Sequence, residues 1–148
     1  AAKANPGKLN VGGSGTAGED HLCTYLLGKG IGAEMNYTSF SGGGEVMSNL
    51  LGGHIDVAWA NPNECISQVR GGLVKMLAIT KEDRLALLPD VPSFKELGYD
   101  IVFWQVRGVH GPPNMPQEAI DWAVDLLKKA SETDTWKNEY INPSFRGF

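Results

Sequence analysis

Glycine and small hydroxyl residues recur where helices begin, and that combination can hold an anion. The first such stretch, residues 10–22, reads NVGGSGTAGEDHL. An apolar strand end, Leu9 to Val11, runs into Gly12, Gly13, Gly15 and Gly18, and a helix follows from Glu19. Glycine accepts positive φ and lets another group come close to the backbone. The first N–H groups of a helix lack internal acceptors and lie at the positive end of its dipole. Ser14, Gly15, Thr16, Ala17 and Gly18 therefore make a candidate anion site. Thr16 with Glu19 three residues on fits a capping box, which puts the helix start near Thr16 and leaves Ser14 as the freer hydroxyl. Ser41, Gly42, Gly43 and Gly44 repeat the theme before a helix carrying Val46, Met47, Leu50 and Leu51. Alone, that second loop is equally well a tight turn; two such loops on one edge favour binding.

Catalytic and nucleotide chemistries fit less well. Residues 13–18 match G-x-G-x-x-G between a strand and a helix, the dinucleotide fingerprint in its expected context. The acid that should hold the ribose is missing from the end of the second strand, where Ser39, Phe40 and Ser41 stand; Glu34 lies at that strand's start. No Gly-Lys-Ser/Thr closes either loop, and Thr16 occupies a place that a nucleophile elbow gives to glycine. His21, His54 and His110 show no ligand spacing, and His21 in a first helical turn reads as a local hydrogen-bonding residue. Glu19 and Asp20 suit the helix dipole as capping acids. Arg107 could pair a ligand carboxylate bidentately, or equally a structural acid. Nothing calls for a cofactor or a metal.

The elements that carry these loops follow a simple order. Leu9–Gly12 is a first strand, with a helix over about 17–29 stopped by residues 28–32. Residues 35–40 form a second strand, and residues 55–60 a third that is apolar enough to be buried on both faces. Asn61-Pro62-Asn63-Glu64 opens a third helix with Ile66 and Val69 inward, and residues 74–80 form a fourth strand. This repetition implies a parallel sheet with right-handed crossovers, so all the helix starts share its carboxyl edge. Ser93 then caps a short helix ended by Gly98. After the rigid turn of residues 111–116, Pro116 suits a first helical position, and Ile120, Ala123, Val124 and Leu127 form an apolar stripe.

Composition bounds the possibilities. With 148 residues, 42% hydrophobic and 20% charged, the chain can build one sizeable core. A net charge of −4 and a pI near 5.3 argue against nucleic acid as the main partner. The opening AAKANPGK is not a signal peptide. Cys23 and Cys65 fall in helices and read as free buried thiols.

The order of motifs resembles the substrate-binding proteins of tripartite tricarboxylate transporters, the TctC or Bug family. The resemblance lies in KANPGKLNVGGSGTAGEDHL, YTSFSGGGEVMSNLLGGHIDVAWANPNE, KMLAITKEDRLALLPDVPSFKELGYDIVFW and RGVHGPPNMPQEAI. It implies an α/β, periplasmic binding protein-like lobe: a mainly parallel sheet with helices on both faces, plus C-terminal crossover helices. It implies a non-enzymatic, periplasmic protein that binds a small organic carboxylate and delivers it to membrane transporter subunits. By this resemblance Ser14–Gly18 and Ser41–Gly44 form the binding edge, with Asn61 and Asn63 added from the third loop. Residues 1–110 would be the second lobe of a two-lobed protein and residues 111–148 the crossover towards the first lobe, which this chain lacks. The stripe on the last helix would then need cover from a second chain, making a homo-oligomer, or from its own lobe. Relatives often carry serine at the place of Gly13 and tryptophan at that of Val106. The alternatives are a dinucleotide-binding domain of an enzyme and the effector domain of a transcription regulator.

Overall fold

The computed structural model describes residues 2–85, 88–103 and 108–141. The chain divides into two compact units, Ala1–Trp104 and Gln105–Phe148. The first contains β1 (Asn10–Ser14), α1 (Glu19–Ile31), β2 (Asn36–Phe40), α2 (Gly43–Leu51), β3 (Val57–Ala58) and α3 (Pro62–Arg70) in that order. β1 lies in the middle of a parallel sheet of order β2-β1-β3. Its register sets Val11 beside both Tyr37 and Val57, and Ser14 beside Phe40.

The crossover from β1 to β2 and the one from β2 back past β1 to β3 run in opposite directions across the sheet, so right-handed connections put α1 and α2 on opposite faces. The strand's own alternation agrees. A Cβ on Gly13 would lie 2.5 Å from Asp20 Cβ on α1, whereas one on Gly12 would lie 2.3 Å from Ile55 Cδ1, in the connection from α2 to β3. β1 therefore uses glycine where the layers come closest. α2 supplies Val46 and Met47 to the core, α1 supplies Cys23, and α3 supplies Cys65; Val11, Ile55, Ile79, Val91, Phe94 and Ile101 complete it.

Several expectations change. α1 begins at Glu19 rather than near Thr16, because Ala17 has a left-handed φ of 60° and cannot continue a helix. The helix also runs through Gly28 and Gly30 and ends only at Gly32, where φ is 63°. Cys23 and Thr24 face inward, while Leu22 is exposed. β3 is two residues long and half-buried, not a six-residue strand buried on both faces. Backbone bonds from Asp56 to Asn10 and from Trp59 to Gly12 flank it. Residues 74–80 do not form a fourth strand. Ile79 makes one isolated parallel bridge to Ser93, donating to Pro92 O and accepting from Phe94 N–H. Its hydrogen bonds go to a later segment, so the sheet is not extended.

Ser93 does act as a cap, its Oγ accepting from Glu96 N–H, but residues 94–98 are a turn rather than a helix. Arg84 grips the Glu96 carboxylate with two nitrogens and fastens the preceding loop to that turn. In the second unit, Asn114 takes the left-handed conformation expected of it, with φ 64°. Pro116 is the N-cap of α4 (Gln117–Glu132) rather than its first residue. Among the described residues of this unit nothing covers its stripe: Ile120, Val124 and Leu127 are 38%, 58% and 45% exposed. A π-helical turn, Trp136–Ile141, follows.

The tight approach at Gly12 gives a direct test. Gly12→Ala would press a methyl group into Ile55 and Phe40. Overpacking of this kind costs about 1–3 kcal/mol. Denaturant unfolding should show that loss, and an unchanged midpoint would mean that the two layers have slack.

Candidate functional site

Parallel pairing sets the ends of β1 and β2 side by side, and the loops that leave them are laced together. Gly15 N–H donates to Phe40 O at 3.0 Å. Thr16 Oγ1 donates to Ser39 Oγ at 3.0 Å, and Tyr37 Oη donates to Gly15 O at 2.8 Å. The second loop starts one residue beyond Phe40, at Ser41. The third leaves β3 on the same edge, and Asn61 N–H donates to Glu64 Oε2 at 2.8 Å. The Glu64 carboxylate also stands against Gly43, where a Cβ would lie 2.7 Å from Glu64 Cδ. Ser14–Gly18, Ser41–Gly44, Asn61 and Asn63 thus share one edge.

The loops differ in what they still offer. In the first, Ser14 spends both donors on Asp20 Oδ2: its N–H at 2.7 Å and its Oγ at 3.0 Å. Ala17 N–H donates to His21 Nδ1 at 3.2 Å, and the His21 ring stacks on Tyr37 with centroids 4.4 Å apart. Gly15 and Thr16 Oγ1 are spent on β2, as above. Two expectations are thereby corrected. Thr16 does not cap α1, because the left-handed Ala17 delays the helix to Glu19 and makes Gly18 the N-cap. Ser14 is not the freer hydroxyl, because Asp20 holds it. No side chain caps the first turn of α1, where Gly18 is the N-cap.

The second loop is more open. Ser41 gives its N–H and Oγ to Glu45 Oε2, at 2.9 and 2.6 Å. Gly43 and Gly44 are the first two residues of α2, so their N–H groups have no intrahelical acceptor. Among the described residues no hydrogen-bond acceptor is recorded for the N–H of Gly42, Gly43 or Gly44. A Cβ on Gly42 or Gly44 would meet nothing within 4 Å, so the backbone is open at these two, while the Glu64 carboxylate flanks Gly43. Three successive amides at the positive end of a helix can hold a carboxylate. Arg107, with Trp104 and Val106, lies outside the described residues.

Motif reading gives Asp20 only a capping role and assigns none in the site to Ser39, Glu45 or Glu64. Asp20 is held from behind: Thr24 Oγ1 donates to Asp20 O at 2.9 Å, and Trp59 Nε1 donates to Thr24 Oγ1 at 2.8 Å. Hydrogen bonds from Ser41 keep the Glu45 carboxyl below its usual pKa. Burial, with Asp20 and Glu19 adding to it, pushes the Cys23 thiol up to about 11, and burial raises Cys65 as well. Both thiols are free and buried, and at neutral pH they stay protonated.

The architecture is that of an α/β binding-protein lobe. The family model described as tripartite tricarboxylate transporter family receptor matches residues 1–145, and the chain belongs to that family. A UPF0065 protein of Cupriavidus necator is 32% identical over 136 residues, covering 92% of this chain and 41% of that protein. One from Agrobacterium vitis is 28% identical over 131 residues, covering 86% and 37%. Among solved structures, MatC of Rhodopseudomonas palustris with bound malate superposes with a TM-score of 0.80 at 20% identity, over 97% of this chain and 49% of that one. The periplasmic binding protein BugD gives 0.76 at 22% identity, over 97% and 48%. The chain thus spans less than half the length of these relatives.

Glu45 sets an acid dependence. Its folded pKa is lowered, so the stability it adds is full above the unfolded value of about 4.3 and is lost as pH falls through the lower folded value. Glu45→Gln should flatten the acid arm of a pH–stability curve. An unchanged acid arm would contradict the role given to Ser41 and Glu45.

Proposed function

We propose that this chain acts by binding rather than catalysis, as one lobe of a two-lobed periplasmic receptor for a small organic carboxylate. The receptor would pass its ligand to membrane subunits of a tripartite tricarboxylate-type transporter. The observation that carries this is the open run of N–H groups at Gly42, Gly43 and Gly44, heading α2 on the edge shared with the first and third loops. A ligand carboxylate would accept from those amides, with Asn61 and Asn63 to the side. Membership of the receptor family, and neighbours described with malate and with adipate, support the same reading.

The dinucleotide alternative finds less support. A pyrophosphate needs free amides in the first glycine loop. Here Gly15 N–H is bound to Phe40 O, and Ala17 N–H to His21.

A single lobe would hold its ligand from one side only. Each hydrogen bond to a charged ligand contributes about 1.5–3 kcal/mol, and every 1.4 kcal/mol is tenfold in affinity. This chain should therefore bind di- and tricarboxylates at least about tenfold more weakly than the full-length receptor. Calorimetry on both would test this, and equal affinities would mean that the site is complete within these residues.

Gly44→Leu separates binding from folding. Helical Cβ atoms lean towards the helix N-terminus, so a leucine here would reach over the amides. Its Cβ would meet nothing within 4 Å, and leucine is favoured over glycine in a helix by about 0.5–1 kcal/mol. The variant should melt higher and bind carboxylates at least about tenfold more weakly. Full binding in a stabilised variant would remove α2 from the site.

A further inference from the structure

The Ser14–Asp20 pair in the first loop is left with acceptor capacity only, and this bears on which carboxylates fit. We propose that Asp20 is a specificity-determining residue, dedicating the first loop to a hydroxyl or ammonium donor on the ligand, while the ligand's carboxylate goes to the start of α2. The proposal rests on the carboxylate-binding function above and deepens it.

Donor accounting carries the inference. Ser14 has one N–H and one O–H, and both point to Asp20 Oδ2. A hydroxyl has two acceptor lone pairs besides its proton, and an ionised carboxylate only accepts. What Ser14 and Asp20 can still offer through their side chains is therefore acceptor capacity and negative charge. A second ligand carboxylate placed there would meet like charge and no side-chain donor. A hydroxyl or ammonium group would find Ser14 Oγ and the Asp20 carboxylate.

Two further features hold Asp20 in place. Gly13 leaves the room: a Cβ there would lie 2.5 Å from Asp20 Cβ and 2.9 Å from Asp20 Oδ2. Behind, Thr24 is buried and ties the Asp20 carbonyl to the Trp59 indole. The side chain is thus fixed by its own backbone anchor and by the missing side chain opposite. The start of α2 contrasts with this: Glu45 takes only the Ser41 donors, and Gly42–Gly44 are left to a ligand anion.

Succinate, malate and aspartate share one carbon skeleton and differ by hydrogen, hydroxyl and ammonium at a single carbon, which makes them the probes. Their dissociation constants would be measured by NMR titration of this chain at millimolar ligand. Malate, aspartate or both should bind about tenfold more tightly than succinate, the effect of one hydrogen bond to a charged group. The two arms tell a hydroxyl from an ammonium preference. Asp20→Ala frees both Ser14 donors and should bring the ratio to succinate down to about one or below it. Gly13→Ala displaces Asp20 from the other side and should lower the same ratio. A merely structural loss would weaken all three ligands together and leave their ratio unchanged. Equal binding of all three by the natural chain, or an unchanged ratio in a folded Asp20→Ala, would overturn the role of Asp20 while leaving carboxylate binding intact. No binding of any of the three, by this chain and by the full-length receptor alike, would overturn the carboxylate function itself, and this inference with it.

Discussion

Everything at the binding edge depends on the parallel register of β1, with Ser14 level with Phe40 on one side and Gly12 level with Ala58 on the other. Parallel pairing sends each strand into its helix at the same end of the sheet. Two crossovers of one hand then place α1 and α2 on opposite faces. The central strand has to be thin for both layers to close on it. Gly12 and Gly13 supply that thinness, one towards Ile55 and the other towards Asp20. A glycine pair that looks like part of a phosphate-binding motif is first of all a packing device. Its second use, room for the Asp20 carboxylate, follows from the first.

The helix starts on this edge are not alike, and the difference is one of hydrogen-bond supply. Each loop keeps an acid close to its own backbone: Asp20 for Ser14, Glu45 for Ser41 and Glu64 for Asn61. These carboxylates suit the helix dipole and settle donors that would otherwise be orphaned. The first loop is also bound to β2 through the Gly15 N–H and the Thr16 hydroxyl. In the second loop the Glu64 carboxylate stands beside Gly43, while a Cβ on Gly42 or Gly44 would meet nothing within 4 Å. On the proposed function, anion binding would fall to α2 and the first loop would shape what else the ligand must carry.

Much of the fold was legible in the sequence because strand–loop–helix repetition leaves few topologies. The parallel sheet, the shared edge and the α3 start at Asn61-Pro62 all follow from connection rules and short-range caps. What stayed hidden depends on distant partners. Ser39 lies 23 residues from Thr16, so a local capping box looked sufficient for the threonine. Asp20 reaches back six residues to Ser14, a spacing that no cap motif describes. Residues 74–80 read as a strand by composition, yet Ile79 pairs with the 92–94 segment instead. Helical spacing showed the stripe of α4 but not what covers it, and nothing among the described residues of its own unit does.

The central claim is that a ligand carboxylate is held by the amides that open α2. Backbone amide shifts in a two-dimensional NMR titration with malate report on it residue by residue. The largest movements should fall on Gly42, Gly43 and Gly44, while Gly15 and Ala17, whose N–H groups are already bound to Phe40 and His21, move little. Large shifts at Gly15 and Ala17, with Gly42–Gly44 unmoved, would contradict it and return the anion site to the first glycine loop.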